Sequence, residues 1–368
     1  MTNNRVVGFD LARAYAIFGM YIVNFNFCFG AFQEPTPLGH FLTAFVGNST
    51  SIFIVLAGMG LTFLSQRALS GGEEERKRMK NTVLKRSWFL FAWGLLLYNW
   101  WPGDILHFYG GYMHLAAFVL FVPKRYYLWI AVVAILGFHV LLPIIPVTTG
   151  WVAVTSEYTD FWTVQGFLRN TFYNGWNSIF PWLSFFMAGM WLGHLDWQDK
   201  KQWRRVFLTG LLLFSVVKAT RILFKADFNN PQRHWFYNKY WDYVCADYFP
   251  PYLPFLLITL GFALMVIPIC MSIAARFPES LPIRALAATG QMTLSHYIIH
   301  LTLGMVIFSG ISGKPYSGLM TGEAKVSSTY ILLYACMFFI GSIFFSVYWG
   351  RTFKKGPFEL LMRRFSKT

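Results

Sequence analysis

The chain has 368 residues, of which 56% are hydrophobic, 20% aromatic and only 13% charged. A soluble domain carries about a quarter charged residues, so this composition excludes a soluble globular fold and predicts an all-α polytopic integral membrane protein. The net charge of +15 would suit nucleic acid, but its distribution follows membrane topology instead, and Cys28, Cys245, Cys270 and Cys336 show neither CxxC nor Cys/His metal spacing.

The first stretch, RVVGFDLARAYAIFGMYIVNF at 5–25, opens an apolar run from 6 to 29 that is long enough to cross a hydrocarbon core of about 30 Å. It carries Asp10 and Arg13, three residues apart on one helical face. One such side chain at mid-helix costs about 2.5–3.5 kcal/mol to insert, so the pair is either a structural ion pair or part of a polar track facing the bundle interior. Asn24 and Asn26 repeat the anomaly near the far end. A single Arg5 ahead of the run, with no small-residue cleavage site after it, predicts that the segment is retained as a span.

A short polar loop with His40 leads to a second span near 42–64. The segment at 67–86, RALSGGEEERKRMKNTVLKR, is too charged for lipid, and a third span follows at about 87–101. The Pro/Gly break WPGDILHFYG holds Asp104 and His107. A fourth span ends at Pro123, a fifth runs from 126 to about 147, and an aromatic loop covers 148–176. The sixth span covers about 177–195, the seventh reaches about 224, and the loop at 225–250 precedes an eighth at 251–274. A ninth at 290–310 and a tenth at 328–349 lead to a basic tail. No repeat is visible.

Ten spans put both termini on one side. Only Arg169, Lys225, Arg233, Lys239, Lys314 and Lys325 fall in loops on the other, while Arg13, Lys218 and Arg221 lie inside spans. All the remaining Lys and Arg lie on the terminal side, so the positive-inside rule predicts cytoplasmic termini.

Several constellations could carry chemistry. His40, beyond Asn24 in the first outer loop, is a residue type suited to moving protons near neutral pH, although an interfacial histidine is the plainer reading. His107, three residues after Asp104, has the same ambiguity. In the ninth span Ser295, His296 and His300 interrupt an apolar helix. The two histidines share a face, but no HExxH glutamate accompanies them, so no metal is expected. Arg13, Lys85, Arg86 and Arg284 at cytoplasmic span ends suit phosphate, and the positive-inside rule accounts for them equally well. Trp235, Tyr237, Tyr240, Trp241 and Tyr243, flanked by Asp227, Asp242 and Asp247, could stack on sugar rings or form an ordinary interfacial belt.

Arg5 with GFDLARAYAIFGMYIVNF resembles the RxxxxDxxRGxAxxxMxxVN opening of the transmembrane acyltransferase superfamily, which includes heparan-α-glucosaminide N-acetyltransferase and bacterial YeiB-like membrane proteins. Asp10, Arg13, Met20 and Asn24 match it, and Ala14 stands where the glycine is usual. PGDILHFYG at 102–110, FPWLSFFMAGMWLG at 180–193, TGQMTLSHYIIH at 289–300 and KKGPFELLMRR at 354–364 resemble further family blocks. The last two favour the YeiB-like branch, with its C-terminal region at about 206–368, so 1–368 is expected to form a single domain.

The resemblance implies transfer of an acyl group from cytoplasmic acyl-CoA to an extracytoplasmic acceptor, commonly a sugar. It implies a catalytic histidine in the first outer loop, where His40 stands, with Asn24 nearby; His300 stands where relatives have Gln and is a second catalytic candidate. Donor binding is expected at Asp10, Arg13, Lys85, Arg86, Arg284 and Ser295, and acceptor binding at Asp104, His107, Trp235 and Trp241. The expected partners are the bilayer of a bacterial cytoplasmic membrane, acetyl-CoA or another acyl-CoA, and a hydroxyl or amine acceptor. No metal or nucleic acid is expected, and a homodimer is left open. The rival readings are an exporter of a small metabolite and a non-catalytic scaffold.

Overall fold

A computed structural model of the chain describes residues 6–30, 34–69, 71–152, 155–227, 234–245, 248–314 and 326–367, with the side chains at 67 and 226–239 outside this set. Sixteen α-helices are described. In chain order they are α1 (Val7–Phe29), α2 (Pro37–Thr43), α3 (Asn48–Ser65), α4 (Glu73–Tyr98), α5 (Leu106–Phe118), α6 (Arg125–Leu141), α7 (Val164–Arg169) and α8 (Ile179–Leu192). The rest are α9 (Lys200–Asp227), α10 (His234–Cys245), α11 (Leu253–Arg276), α12 (Leu281–Gly290), α13 (Thr293–Ile299), α14 (Met305–Ser312), α15 (Ser328–Phe353) and α16 (Pro357–Ser366). A two-stranded antiparallel hairpin, β1 (Trp151–Val152) with β2 (Glu157–Tyr158), lies in the loop before α7.

Helix α1 is the core of the bundle. It packs against α3, α11, α12 and α15, and its Ala12, Ala14, Ala16, Ile17, Tyr21, Ile22 and Phe25 are buried. By contrast α9 touches mainly α11 and leaves Leu208, Leu212, Val216, Ile222 and Leu223 exposed, as a helix on a lipid-facing wall would. Lipid tails are as apolar as leucine, so close backbone contact and interhelical hydrogen bonds must supply much of the specificity. Gly58 of α3 and Gly189 of α8 meet so closely that a Cβ on either would lie 2.1 Å from a carbonyl oxygen of the other helix. The hydroxyls of Thr62 and Ser51 donate across helices to the carbonyls of Met190 and Thr259 at 3.0 and 3.1 Å.

Five segments among the described residues are long and apolar enough to cross a membrane: Pro37–Ser65, Lys200–Lys225, Leu253–Arg276, Thr293–Ser312 and Ser328–Phe353. Helix α1 has the length, but its two charges and two asparagines lower its hydropathy. Helices α6 and α8 are apolar but shorter, at 17 and 14 residues.

The charged segment expected as a loop at 67–86 is instead largely helix. Glu73, Glu74 and Glu75 occupy the first turn of α4, where carboxylates favour the positive end of the helix dipole, and the helix then continues without a break to Tyr98. The span expected at 290–310 is present as one continuous helical segment, Thr293–Ser312. Helices α13 and α14 are joined by a five-residue π-helical turn, His300–Gly304, of the kind that re-aims side chains at functional sites.

Two ends of the bundle can be told apart. The start of α1, the end of α15 and α16 form the terminal end. The end of α1, α2 and the start of α15 form the loop end, where Glu34 accepts hydrogen bonds from the Ser328 backbone and hydroxyl at 2.9 and 2.5 Å. Those bonds hold the Glu34 carboxyl below the usual carboxylate range.

Candidate functional site

At the terminal end, Arg13 donates to Asp10 at 2.7 Å, one helical turn away. Asp10 is buried and Arg13 half-buried, facing Gly60 of α3. The α12 backbone presses against the same turn: a Cβ on Gly290 would lie 1.8 Å from the Asp10 carbonyl oxygen, so only glycine permits this crossing. Asp10 and Arg13 thus face the bundle interior, at the junction of α1, α3 and α12.

Eleven residues along α1 from Arg13, about 16 Å at 1.5 Å per residue, Asn24 reaches a different environment. The Asn24 amide nitrogen lies 2.9 Å from His300 Nε2, and His300 Nδ1 lies 3.1 Å from the His296 carbonyl oxygen. A ring nitrogen facing a carbonyl must carry the proton, so Nδ1 donates and Nε2 accepts from Asn24. Both nitrogens of His300 are therefore engaged, and the ring is fully buried behind Asn24. His300 orients the asparagine amide and has no lone pair free to take a proton. His296 points elsewhere, with Nε2 2.7 Å from the Ser346 hydroxyl, so the two histidines do not converge on one point. Among the described residues no group of three or more His, Cys, Asp and Glu could hold a metal ion.

Asn24 lines a cavity of about 1320 Å³ at the loop end. His40 of α2 lines it too, with Trp101, Trp176, Asn177, Tyr248, Tyr297, Lys218, Arg221, Trp241 and Asp242. A single small ligand fills roughly 300–1,000 Å³, so there is room for two reactants side by side. Helix α2 owes its start to the Thr36 hydroxyl, which accepts from the Gly39 backbone N–H at 3.0 Å, and to Pro37 in the first turn. This places His40 one turn in, solvent-accessible at the cavity edge. The structure thus brings together three of the sequence candidates: Asn24, His40 and Trp241. The side chain of Trp235 lies outside the described residues.

Asp104 and His107, expected to bind acceptor, are fully buried and not part of the cavity lining. Asp104 accepts from His107 Nδ1 and from the His107 backbone N–H, both at 3.1 Å, and from the Tyr297 hydroxyl at 3.2 Å. Tyr297 in turn accepts from the Ile105 N–H at 3.0 Å. Asp104 therefore knits the turn before α5 to α13, and of this network Ile105 and Tyr297 reach the cavity.

Lys85 and Arg86, two of the donor-binding candidates at the terminal end, are engaged by the tail. Lys85 reaches the Lys367 carbonyl at 3.5 Å and Arg86 the Ser366 hydroxyl at 3.3 Å. Arg284 is exposed beside Glu279 at 3.5 Å. Ser295, expected to touch the donor, is fully buried: its hydroxyl donates to Glu359 of α16 and accepts from the Phe358 N–H at 3.0 Å. Glu359 also accepts from the Leu294 and Ser295 N–H groups at 2.7 and 3.2 Å, which makes it the anionic cap of α13. Burial pushes its carboxyl up, against the lowering effect of these hydrogen bonds.

Residues that sequence reasoning did not single out include Glu359, Tyr297, and the pair Asn177 and Tyr248, whose amide and hydroxyl meet at 2.7 Å on the cavity wall. Tyr297 and Glu359 sit inside the two most specific family blocks, TGQMTLSHYIIH and KKGPFELLMRR, which was the available signal.

Residues 5–208 match the family model described as heparan-alpha-glucosaminide N-acetyltransferase, catalytic, and residues 187–368 match one described as a protein of unknown function (DUF418). No curated protein and no solved structure matches the chain. The first match spans more than half of the chain and contains Asp10, Arg13, Asn24 and His40, and the second contains α9, His296, His300 and the Glu359 cap. The chain therefore belongs to the transmembrane acyltransferase superfamily related to heparan-α-glucosaminide N-acetyltransferase, in its YeiB-like branch.

Proposed function

We propose that the protein moves an acetyl group from cytoplasmic acetyl-CoA to a hydroxyl or amine of a small acceptor on the opposite face of a bacterial cytoplasmic membrane. The observation that carries this reading is the shared cavity of Asn24, from the family motif, and His40. His40 acts as general base on the acceptor or as acyl carrier. The Asn24 amide, oriented by His300, holds the thioester carbonyl. Trp241 and its aromatic neighbours offer flat faces to the acceptor.

The donor enters from the terminal end, its phosphates among Lys85, Arg86 and Arg284 and its thin arm reaching along α1 past Asp10 and Arg13. Ten membrane crossings with both termini in the cytoplasm fit this direction of transfer, and the distribution of Lys and Arg supports them.

A second reading, export of a small metabolite, is favoured by the polar residues that spanning helices bring to the wall of a large cavity, since such residues also line transport paths. Thermal-shift titration separates the two. Acetyl-CoA and free CoA should both stabilise the purified protein, by about 2.7 kcal/mol at a hundredfold excess over the dissociation constant, with the shift shrinking at high salt. Stabilisation by sugars alone, with none by either form of CoA at millimolar concentration, would favour export.

A further inference from the structure

Helix α9 is the least buried of the membrane-length helices, yet two of its cations, Lys218 and Arg221, lie within its apolar stretch and are not used by the acyl-transfer chemistry. Phe214, Lys218 and Arg221, at spacings of four and three, form one stripe that lines the loop-end cavity. Arg221 donates from Nε to the Val244 carbonyl at 3.0 Å, which ties α9 to the end of α10. Lys218 makes no hydrogen bond or ion pair among the described residues. A cation inside an apolar helix is costly and marks a functional site by default. The described cavity lining holds a single carboxylate, Asp242, against these two cations, while Trp101, Trp176 and Trp241 add flat apolar faces.

We propose that Lys218 and Arg221 form an oxyanion subsite, so that the acceptor is a sugar bearing a carboxylate or phosphate whose charge is held by α9 while its ring stacks on the cavity tryptophans. This rests on the reading of the cavity as the acceptor site. Both cations lie outside the stretch matched by the heparan-α-glucosaminide N-acetyltransferase model and inside the stretch of unknown function. The preference therefore belongs to the C-terminal half of this chain. Arg221 offers planar, bidentate geometry for an oxyanion and Lys218 a mobile point charge beside it.

The test is calorimetric titration of the full-length protein in zwitterionic nanodiscs, without any acyl donor, with glucose, glucose 6-phosphate and glucuronic acid. The anionic sugars should bind at least about tenfold more tightly than glucose, and this advantage should weaken with salt. K218Q should lose most of it and K218R should keep it, with melting temperatures near wild type because Lys218 is exposed. Equal affinity for charged and neutral sugars, or an unchanged preference in K218Q, overturns the subsite. So does a site that answers only to phosphatidylglycerol added to the nanodiscs, which would make the anion a lipid headgroup. Because no donor is present, binding is read apart from turnover, and anion preference here with no acetyl transfer in a parallel assay containing acetyl-CoA would sink the transferase reading alone. Acetyl transfer to neutral sugars without anion preference would sink the subsite alone.

Discussion

His40→Ala is expected to lower acetyl transfer by about 10²–10⁴-fold while leaving acetyl-CoA binding and thermal stability close to wild type. His40 is solvent-accessible at the cavity edge, so its removal opens no core void, and its backbone carbonyl still accepts from Thr43 at 2.9 Å to hold the turn. His300→Ala should behave differently. It removes the acceptor that orients Asn24 and leaves a void in a fully buried position, so stability and transfer should fall together. His300→Gln retains an acceptor at that position and should recover part of both. Stopped-flow release of CoA before acceptor is added would mark His40 as an acyl carrier; release only with acceptor present would mark it as a base. Full turnover in His40→Ala would remove the histidine from the chemistry altogether.

The second large effect is at the other end of α1. Asp10→Ala would leave the Arg13 guanidinium half-buried in the bundle without its 2.7 Å partner. Removing one member of a buried pair costs about 3–5 kcal/mol, with the low end expected here because Arg13 keeps some access to solvent. The loss should appear as a sharp fall in melting temperature and yield. Replacing Asp10 and Arg13 together by leucine removes both desolvation costs and should restore much of the stability, while transfer stays low if the pair also guides the donor. A double variant with normal turnover would make the ion pair purely structural.

The sequence revealed α1 because two charges and two asparagines in an apolar run are a local and costly signal. It revealed the Asn24 and His40 pairing only through the family motif, since nothing in the spacing predicts that α2 folds back over the end of α1. The roles of Ser295 and Glu359 could not be read, because their contact joins residues far apart in the chain and depends on α16 docking beneath α13. From the sequence, Asp104 and His107 in a Pro/Gly break suggest acceptor contacts. They are buried, and Tyr297 arrives from α13 to donate to Asp104. The expected loop at 67–86 folded as helix because high charge excludes lipid but does not exclude helix, and a glutamate-rich first turn favours it. Lys218 and Arg221 were visible only as cations left over inside a predicted span. It took the cavity to give them a common address.

The most direct test of transmembrane acetyl transfer uses sealed proteoliposomes, with an amino sugar enclosed and radiolabelled acetyl-CoA supplied outside. Labelled N-acetylated sugar should accumulate in the lumen with wild-type protein and not with His40→Ala. Label that stays on CoA, or transfer that proceeds only when donor and acceptor share one compartment, would contradict it.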